Sequence, residues 1–272
     1  MNIVSKHPVA VHDLSWKYGE RIILRNINLK IERGRFYGII GPNGSGKTTL
    51  LRNISKSLVP AAKAVYIDDL DAAGLSSRDI AKKLAVVPQS TNVEFDFTVT
   101  DIVLMGRNPY IRRFGSESRA DMEIAEKAMK ATNTWHLKDK CISEISGGER
   151  QRVIIARALA QDTAVMLLDE PVSQLDIHHQ IEIMELICSL TRGRALTAVS
   201  VMHDLNLAAQ YSDFLILISE GIIVCQGTPQ QVITKENLKN VYHLDSFIVN
   251  NPVTGKPYIM HVEKLKKHVV YK

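Results

Sequence analysis

The residues Gly41-Pro42-Asn43-Gly44-Ser45-Gly46-Lys47-Thr48 constrain this chain more than any other feature. They follow an apolar run, Phe36 to Ile40, and open a helical period through Leu50, Leu51 and Ile54. A glycine-rich turn between strand and helix lets the backbone curl until successive N–H groups point at one anion, and the helix N-terminus adds partial positive charge. Lys47 in that setting neutralises the β and γ phosphates of a nucleoside triphosphate, and the Thr48 hydroxyl is placed to ligate Mg2+. Gly41 to Thr48, with Thr49 behind them, therefore form a predicted nucleotide site.

The surrounding pattern supplies the sheet that such a loop needs. Ala85 to Val87, Val165 to Leu168, Thr197 to Met202 and Phe214 to Ile218 are short and apolar on both faces. Between them run helical periods such as Ile177, Ile181, Met184, Cys188 and Thr191, whose spacing predicts one buried stripe. Apolar strands alternating with amphipathic helices imply a parallel sheet covered on both sides. From Val9 to Ile31 apolar and polar residues alternate instead, as in half-exposed antiparallel strands. Between Asp101 and about Ala160 the strand signal gives way to helical patterns, including Met122, Ala125, Ala128 and Met129. The predicted organisation is a core over 1–100 that includes the antiparallel strands, a helical insert over 101–160, the rest of the core over 161–230, and an extension over 231–272.

With 45% apolar and 23% charged residues, a chain of 272 has ample material for a core, which excludes disorder. The net charge of +5 favours acidic ligands or a lipid headgroup surface and does not demand nucleic acid. The basic C-terminal stretch Lys264, Lys266, Lys267, His268 and Lys272 reads as a solvated tail. Cys141, Cys188 and Cys225 lie far apart and are odd in number, as expected of reduced thiols. The N-terminus lacks a leader pattern, and no apolar run approaches the roughly 18 residues that span a bilayer, so a protein neither secreted nor membrane-embedded is expected.

Two further motifs carry chemistry. Asp169 and Glu170 follow the run Val165 to Leu168, at the edge where a parallel sheet presents its ligands. Asp169 is suited to hold Mg2+, and Glu170 to polarise an attacking water. Ser146-Gly147-Gly148-Glu149-Arg150-Gln151 precedes the helical run Val153 to Ala160. Ser146 and Glu149 fit a capping box. The paired glycines go beyond it, because they strip side chains from a helix start and let an anion approach.

At this point the chain resembles the ATP-binding cassette ATPase family over nearly its whole length. The resemblance implies an α/β fold, a P-loop NTPase (RecA-like) core with a small antiparallel β-subdomain and an inserted α-helical subdomain. Tyr18 looks like the aromatic that stacks on adenine. Gln89 looks like the glutamine that joins Thr48 and Asp169 in the Mg2+ shell. Ser146 to Gln151 matches the family signature, Ser173-Gln174-Leu175-Asp176 the segment that crosses to a partner subunit, and His203 the switch histidine. Ile145, Glu149, Val172, Gln174 and Lys63, the last at a turn position that is often glycine, depart from the commonest pattern, and none removes a catalytic group.

The resemblance further implies a head-to-tail homodimer with ATP between the phosphate loop of one copy and Ser146, Gly147 and Gly148 of the other. Catalysis would then rest on Lys47, Glu170 and His203. The stretches Thr98 to Tyr110, Leu175 to Gln180 and Gln226 to Ile233 are similar to the importer branch that handles iron-siderophore, haem and cobalamin. That branch implies integral-membrane permease subunits, a substrate-binding protein reached through the permease, and a peripheral place on the cytoplasmic face of the inner membrane. No nucleic acid is implied. The insert 101–160 has the size that docks on a permease, whereas a soluble cassette ATPase usually carries two cassettes or a long coiled coil. Adjacent His178 and His179 point about 100° apart on a helix, which favours solvated or packed side chains over a metal site.

Overall fold

A computed structural model describes residues 5–89, 96–112, 115–194 and 196–261. The tail from Lys264 and the first four residues lie outside these. The chain opens with the antiparallel strands β1 (Val9–Tyr18) and β2 (Arg21–Ile31), then β3 (Phe36–Ile40), the phosphate loop and α1 (Lys47–Ile54). β4 (Val65–Ile67), β5 (Leu70–Asp71), α2 (Ser77–Ala81) and β6 (Leu84–Val87) follow. A helical stretch then holds α3 (Val99–Leu104), α4 (Arg119–Ala131) and α5 (Gly147–Ala160). The chain returns to β7 (Val165–Asp169), α6 (Ile177–Arg194), β8 (Thr197–Val201), α7 (Leu205–Tyr211), β9 (Phe214–Ser219) and β10 (Ile222–Gly227). It closes with α8 (Pro229–Val232), α9 (Lys235–Tyr242) and the hairpin β11 (Ser246–Asn250) and β12 (Pro257–His261).

Six strands form the central sheet in the order β10-β9-β3-β8-β7-β6, parallel except for the edge pair β10–β9. Successive residues of a strand point to opposite faces, and both faces are buried. Leu167 and Ile39 pack towards α1 and the antiparallel sheet β2-β1-β4-β5, while Met166, Leu168 and Ile40 pack towards the inserted helices and α6. Each fully buried large apolar side chain contributes about 1.5–3 kcal/mol, so this two-sided packing makes the sheet a rigid platform.

Two expected stripes are buried only in part. Ile177 is 75% exposed and Ile181 38%, whereas Met184 and Thr191 of the same stripe are buried and Cys188 packs on the core, with Ile183, Ile187 and Leu190 buried beside them. The reason is that the first turns of α6 lie beside the start of α5, where Arg152 pairs with Glu182, rather than over the sheet. Met122, in the first turn of α4, also stays exposed, and packing begins one turn later at Ala125, Ala128 and Met129. Lys63, where glycine is frequent, sits at φ +64 and donates its amide to Asp71 Oδ2 at 2.9 Å. The turn thus keeps its left-handed geometry without the residue best suited to it.

The inserted helices converge on buried Arg107. Its Nε donates to Asp121 Oδ1 at 2.9 Å, its Nη1 to the Ala160 carbonyl at 2.7 Å, and its guanidinium lies 4.1 Å from the Tyr110 ring centre. The Ser118 hydroxyl and amide, then Arg107, hold the Asp121 carboxyl down to about 2. A depressed carboxyl stabilises the fold above its ordinary pKa of about 4, and that contribution is lost as pH falls towards the lowered value. Arg107→Ala should cost about 2–4 kcal/mol, because Asp121 and the α5 carbonyl lose a charged donor where water replaces it poorly. A urea midpoint equal to that of the wild type would show that Arg107 carries none of this stability.

Candidate functional site

Three loops leave the C-terminal ends of β3, β7 and β8, neighbours in the sheet, and meet at one edge. After β3 the chain turns through Gly41 and Gly46. A Cβ at Gly41 would collide with the Ile218 carbonyl, and one at Gly46, where φ is +104, would lie 2.7 Å from Leu24 Cδ2. Only glycine lets the loop run this close to its neighbours. Lys47, 5% exposed, donates to the carbonyls of Gly41 at 2.8 Å and Pro42 at 2.9 Å. Burial pushes its pKa below the ordinary lysine value, against the opposing pull of Glu170 and Asp169.

Asp169, 8% exposed, ends β7 and accepts a hydrogen bond from Thr48 Oγ1 at 3.1 Å. Burial raises its pKa despite that bond, and the adjacent Glu170 charge adds to the rise. No ion pair is made by Asp169 among the described residues. Glu170 turns out of the strand at φ +52, and its amide donates to the Val201 carbonyl at 3.1 Å. Its carboxylate is taken at both oxygens: Oε2 accepts from Gln89 Nε2 at 2.6 Å, and Oε1 is hydrogen-bonded to His203 Nε2.

A cavity of about 820 Å³ is lined by Ser45, Lys47, Thr48, Gln89, Glu170 and His203, among others, while Gly41, Pro42 and Asp169 are not part of its lining. That volume lies within the range of small-ligand sites. Asn43, Gly44, Gly46 and Thr49 complete the loop side. Tyr18 pairs with Arg21 at the tip of the β1–β2 hairpin and is 46% exposed, outside the cavity wall that Arg21 and Ile23 form. Ser146, Gly147 and Gly148 also lie outside the lining, at the start of α5. There the capping box is made: Ser146 Oγ accepts the Glu149 amide at 3.3 Å and donates to the Glu149 carboxylate at 2.8 Å.

Sequence reasoning passed over two residues that shape this edge. Gln180 Nε2 donates to the carbonyls of Val172 at 3.2 Å and Leu175 at 2.9 Å, holding the turn after Glu170. Asp204, directly after His203, caps α7 by accepting the amides of Asn206 and Leu207. Asp204 carried a readable signal, an N-cap type between a strand and a helical run. His178 is exposed and His179 packed, and no group of three His, Cys, Asp or Glu is set to hold a metal among the described residues. All three cysteines are free.

The profile of the ABC transporter family matches residues 24–173, more than half of the chain. The chain belongs to the ABC transporter family. The cassette is 40% identical to the ferric enterobactin transport ATP-binding protein FepC of Escherichia coli, over 91% of each chain. It superposes with a TM-score of 0.83 and 26% identity on a metal-chelate-type ABC transporter in an inward-facing conformation, covering 96% of this chain and 99% of that one. With a dimeric cassette bound to ADP and phosphate the TM-score is 0.66 and the identity 29%, covering 81% of this chain and 98% of that one.

The cassette is an ATPase that uses ATP with Mg2+. Its residues fit both. The Ser45 hydroxyl is buried without a protein partner inside the loop, as an anion-facing donor would be before its ligand arrives. The Thr48 hydroxyl beside the buried Asp169 carboxylate, 3.1 Å apart, is a pair of hard oxygens of the kind Mg2+ takes. Lys47→Ala should weaken ATP binding about tenfold or more by removing a buried positive charge from the phosphate loop. Unchanged nucleotide affinity by equilibrium titration would count against this loop as the binding site.

Proposed function

We propose that this chain is the ATP-hydrolysing subunit of an importer that carries an iron chelate, of the siderophore type, through a membrane permease. The cargo reading is supported by the likeness to the ferric enterobactin and metal-chelate proteins. The mechanistic reading is carried by one observation: Lys47, Thr48, Glu170 and His203 share one cavity, while Ser146 to Gly148 lie outside it. A second copy, placed head to tail, then supplies the signature turn that covers the nucleotide.

In this reading Lys47, Ser45 and the loop amides bind the phosphates, and Tyr18 reaches the adenine from the hairpin. Thr48, Asp169 and Gln89 would hold Mg2+, which when bound would offset negative charge on the phosphates. Glu170 receives the proton of the attacking water at a carboxylate oxygen. Gln89 engages one of its oxygens and His203 the other, which fixes the direction of the carboxylate. Each oxygen keeps a second lone pair for the water, and in the closed pair His203 exchanges Glu170 for the nucleotide. The freed His203 Nε2 then donates to the γ phosphate, and Ser146, Gly147 and Gly148 of the partner copy close the opposite side. Binding closes the pair, and hydrolysis reopens it.

No helix among the described residues is long and apolar enough to cross a membrane. The proposed seat for the permease is a groove of about 420 Å³ between the core and the inserted helices, lined by Ser57, Ile80, Met105, Gly106 and Gln161, among others. The cassette would sit there peripherally on the cytoplasmic face, with a substrate-binding protein reached only through the permease.

Glu170→Gln should leave ATP binding intact and slow turnover by about 10²–10⁴-fold, the usual contribution of a general base. Turnover near the wild-type rate would remove Glu170 from that role. Detergent-solubilised membranes should yield the chain together with a polytopic partner. Recovery free of any such partner would favour a soluble cassette ATPase.

A further inference from the structure

The two glycines of the signature turn are bare for different reasons. A Cβ on Gly147 would meet nothing nearer than Leu175 Cδ2 at 3.9 Å, so this position is open to an incoming ligand. A Cβ on Gly148 would collide with His179 Cδ2 and lie 2.9 Å from Cγ and Nε2 of the same ring. Position 148 is filled from within the chain, by an imidazole in the first turn of α6.

That imidazole is held in place by its own helix. The His179 amide donates to Asp176 Oδ1 at 3.0 Å, and ring Nδ1 is bonded to Asp176 Oδ2 at 2.8 Å. A carboxylate only accepts, so the Nδ1 proton is fixed there and the Cδ2–Nε2 edge is turned onto Gly148. One turn on, Arg152 of α5 pairs with Glu182 of α6, keeping the two helix starts together.

Asp176 ends the segment 173–176, whose other end meets the catalytic loop. The Ser173 amide and hydroxyl donate to the Glu170 carbonyl at 3.3 and 3.2 Å. Contacts at either end of the segment 173–176 therefore connect the signature turn, through His179 and Asp176, to the backbone of Glu170.

We infer that His179 is a positioning residue for ATP hydrolysis. Its ring, clamped by Asp176, is a wedge against Gly148 that sets the direction in which Ser146 and the first amides of α5 meet the partner's nucleotide. The same ring ties that direction to the segment beside Glu170 in its own chain. His179 touches neither substrate nor reacting atoms, so its effect passes through Gly148 and Asp176. This inference rests on the reading that the signature turn closes on a partner's ATP.

A second-site rescue in the purified full-length chain tests it, with ATPase kinetics and thermal melting without nucleotide as paired readouts. Gly148→Ala should lower both kcat, by about tenfold or more, and the melting temperature, because the added methyl has no room beside the ring. His179→Ala alone should lower kcat about threefold with little change in KM for ATP, as expected when orientation in the closed state is lost and binding to the chain's own loop is not. In the His179→Ala background, adding Gly148→Ala should cost less than about twofold, since neighbouring changes that share one contact are not additive. His179→Asn, which keeps a donor for Asp176, should recover part of the kcat lost in His179→Ala. A double variant no better than Gly148→Ala in either readout overturns the wedge. Rescue of melting without rescue of kcat overturns the positioning role, because the ring would then pack on Gly148 without orienting the turn. The nucleotide site itself is tested apart from this, by the titration of Lys47→Ala.

Discussion

A lysine and a carboxylate buried at one edge of a parallel sheet set the terms for the rest of this structure. Lys47 and Asp169 are both almost fully covered, and burial shifts each pKa towards its neutral form. Such groups cost free energy unless counter-charge is supplied. Lys47 finds two carbonyls and Asp169 one hydroxyl, so each is hydrogen-bonded but short of full compensation. In the proposed function, a polyphosphate at Lys47 and a divalent cation at Asp169 would supply the two counter-charges together. The sheet can hold this arrangement because its packing on both faces leaves β3, β7 and β8 little freedom to relax around it.

The same edge explains why the proposed base is separated from the signature turn. Glu170 is set by β7, by its amide bond to Val201 at the end of β8 and by His203 just beyond β8, all parts of the sheet platform. The signature turn is set by α5 and by the start of α6, which hangs beyond the sheet and leaves Ile177 and Ile181 uncovered. Those two exposed isoleucines are therefore informative: they show where α6 stops serving the core and begins to serve the turn. Arg107 holds the inserted helices together around the far end of α5, so the insert carries its signature turn on a braced frame.

Much of this was legible in the sequence, for a physical reason. Strands buried on both faces must be apolar throughout, and the runs at Phe36, Val165, Thr197 and Phe214 each match an observed strand to within one residue at either end. The glycine-rich turn from Gly41 was legible as a link between strand and helix, and it does join β3 to α1. Where apolar spacing misled, at Ile177, Ile181 and Met122, the periodicity was real but the helix ran past its partner, and periodicity does not record where a partner ends. Gly148 shows another limit. The paired glycines were read as room for an anion, and Gly148 also makes room for His179, more than 30 residues away in the chain. Tertiary contacts of that kind leave no local pattern.

The extension after α8 bears on the site through α7. A helix of seven residues is too short to hold itself in water, so its persistence after His203 depends on what caps it. Asp204 satisfies the first amides. At the other end Lys256, on the turn of the β11–β12 hairpin, donates to the carbonyls of Gln210 and Ser212 at 2.8 Å each, placing positive charge at the helix C-terminus. The Asn206 side chain bonds the amide and carbonyl of Ile259 in β12, and Gln210 Nε2 donates to the Pro257 carbonyl. The hairpin thus braces α7 along its length. His203, between β8 and α7, is held from the sheet on one side and from the extension on the other, which fixes the backbone from which its ring reaches Glu170.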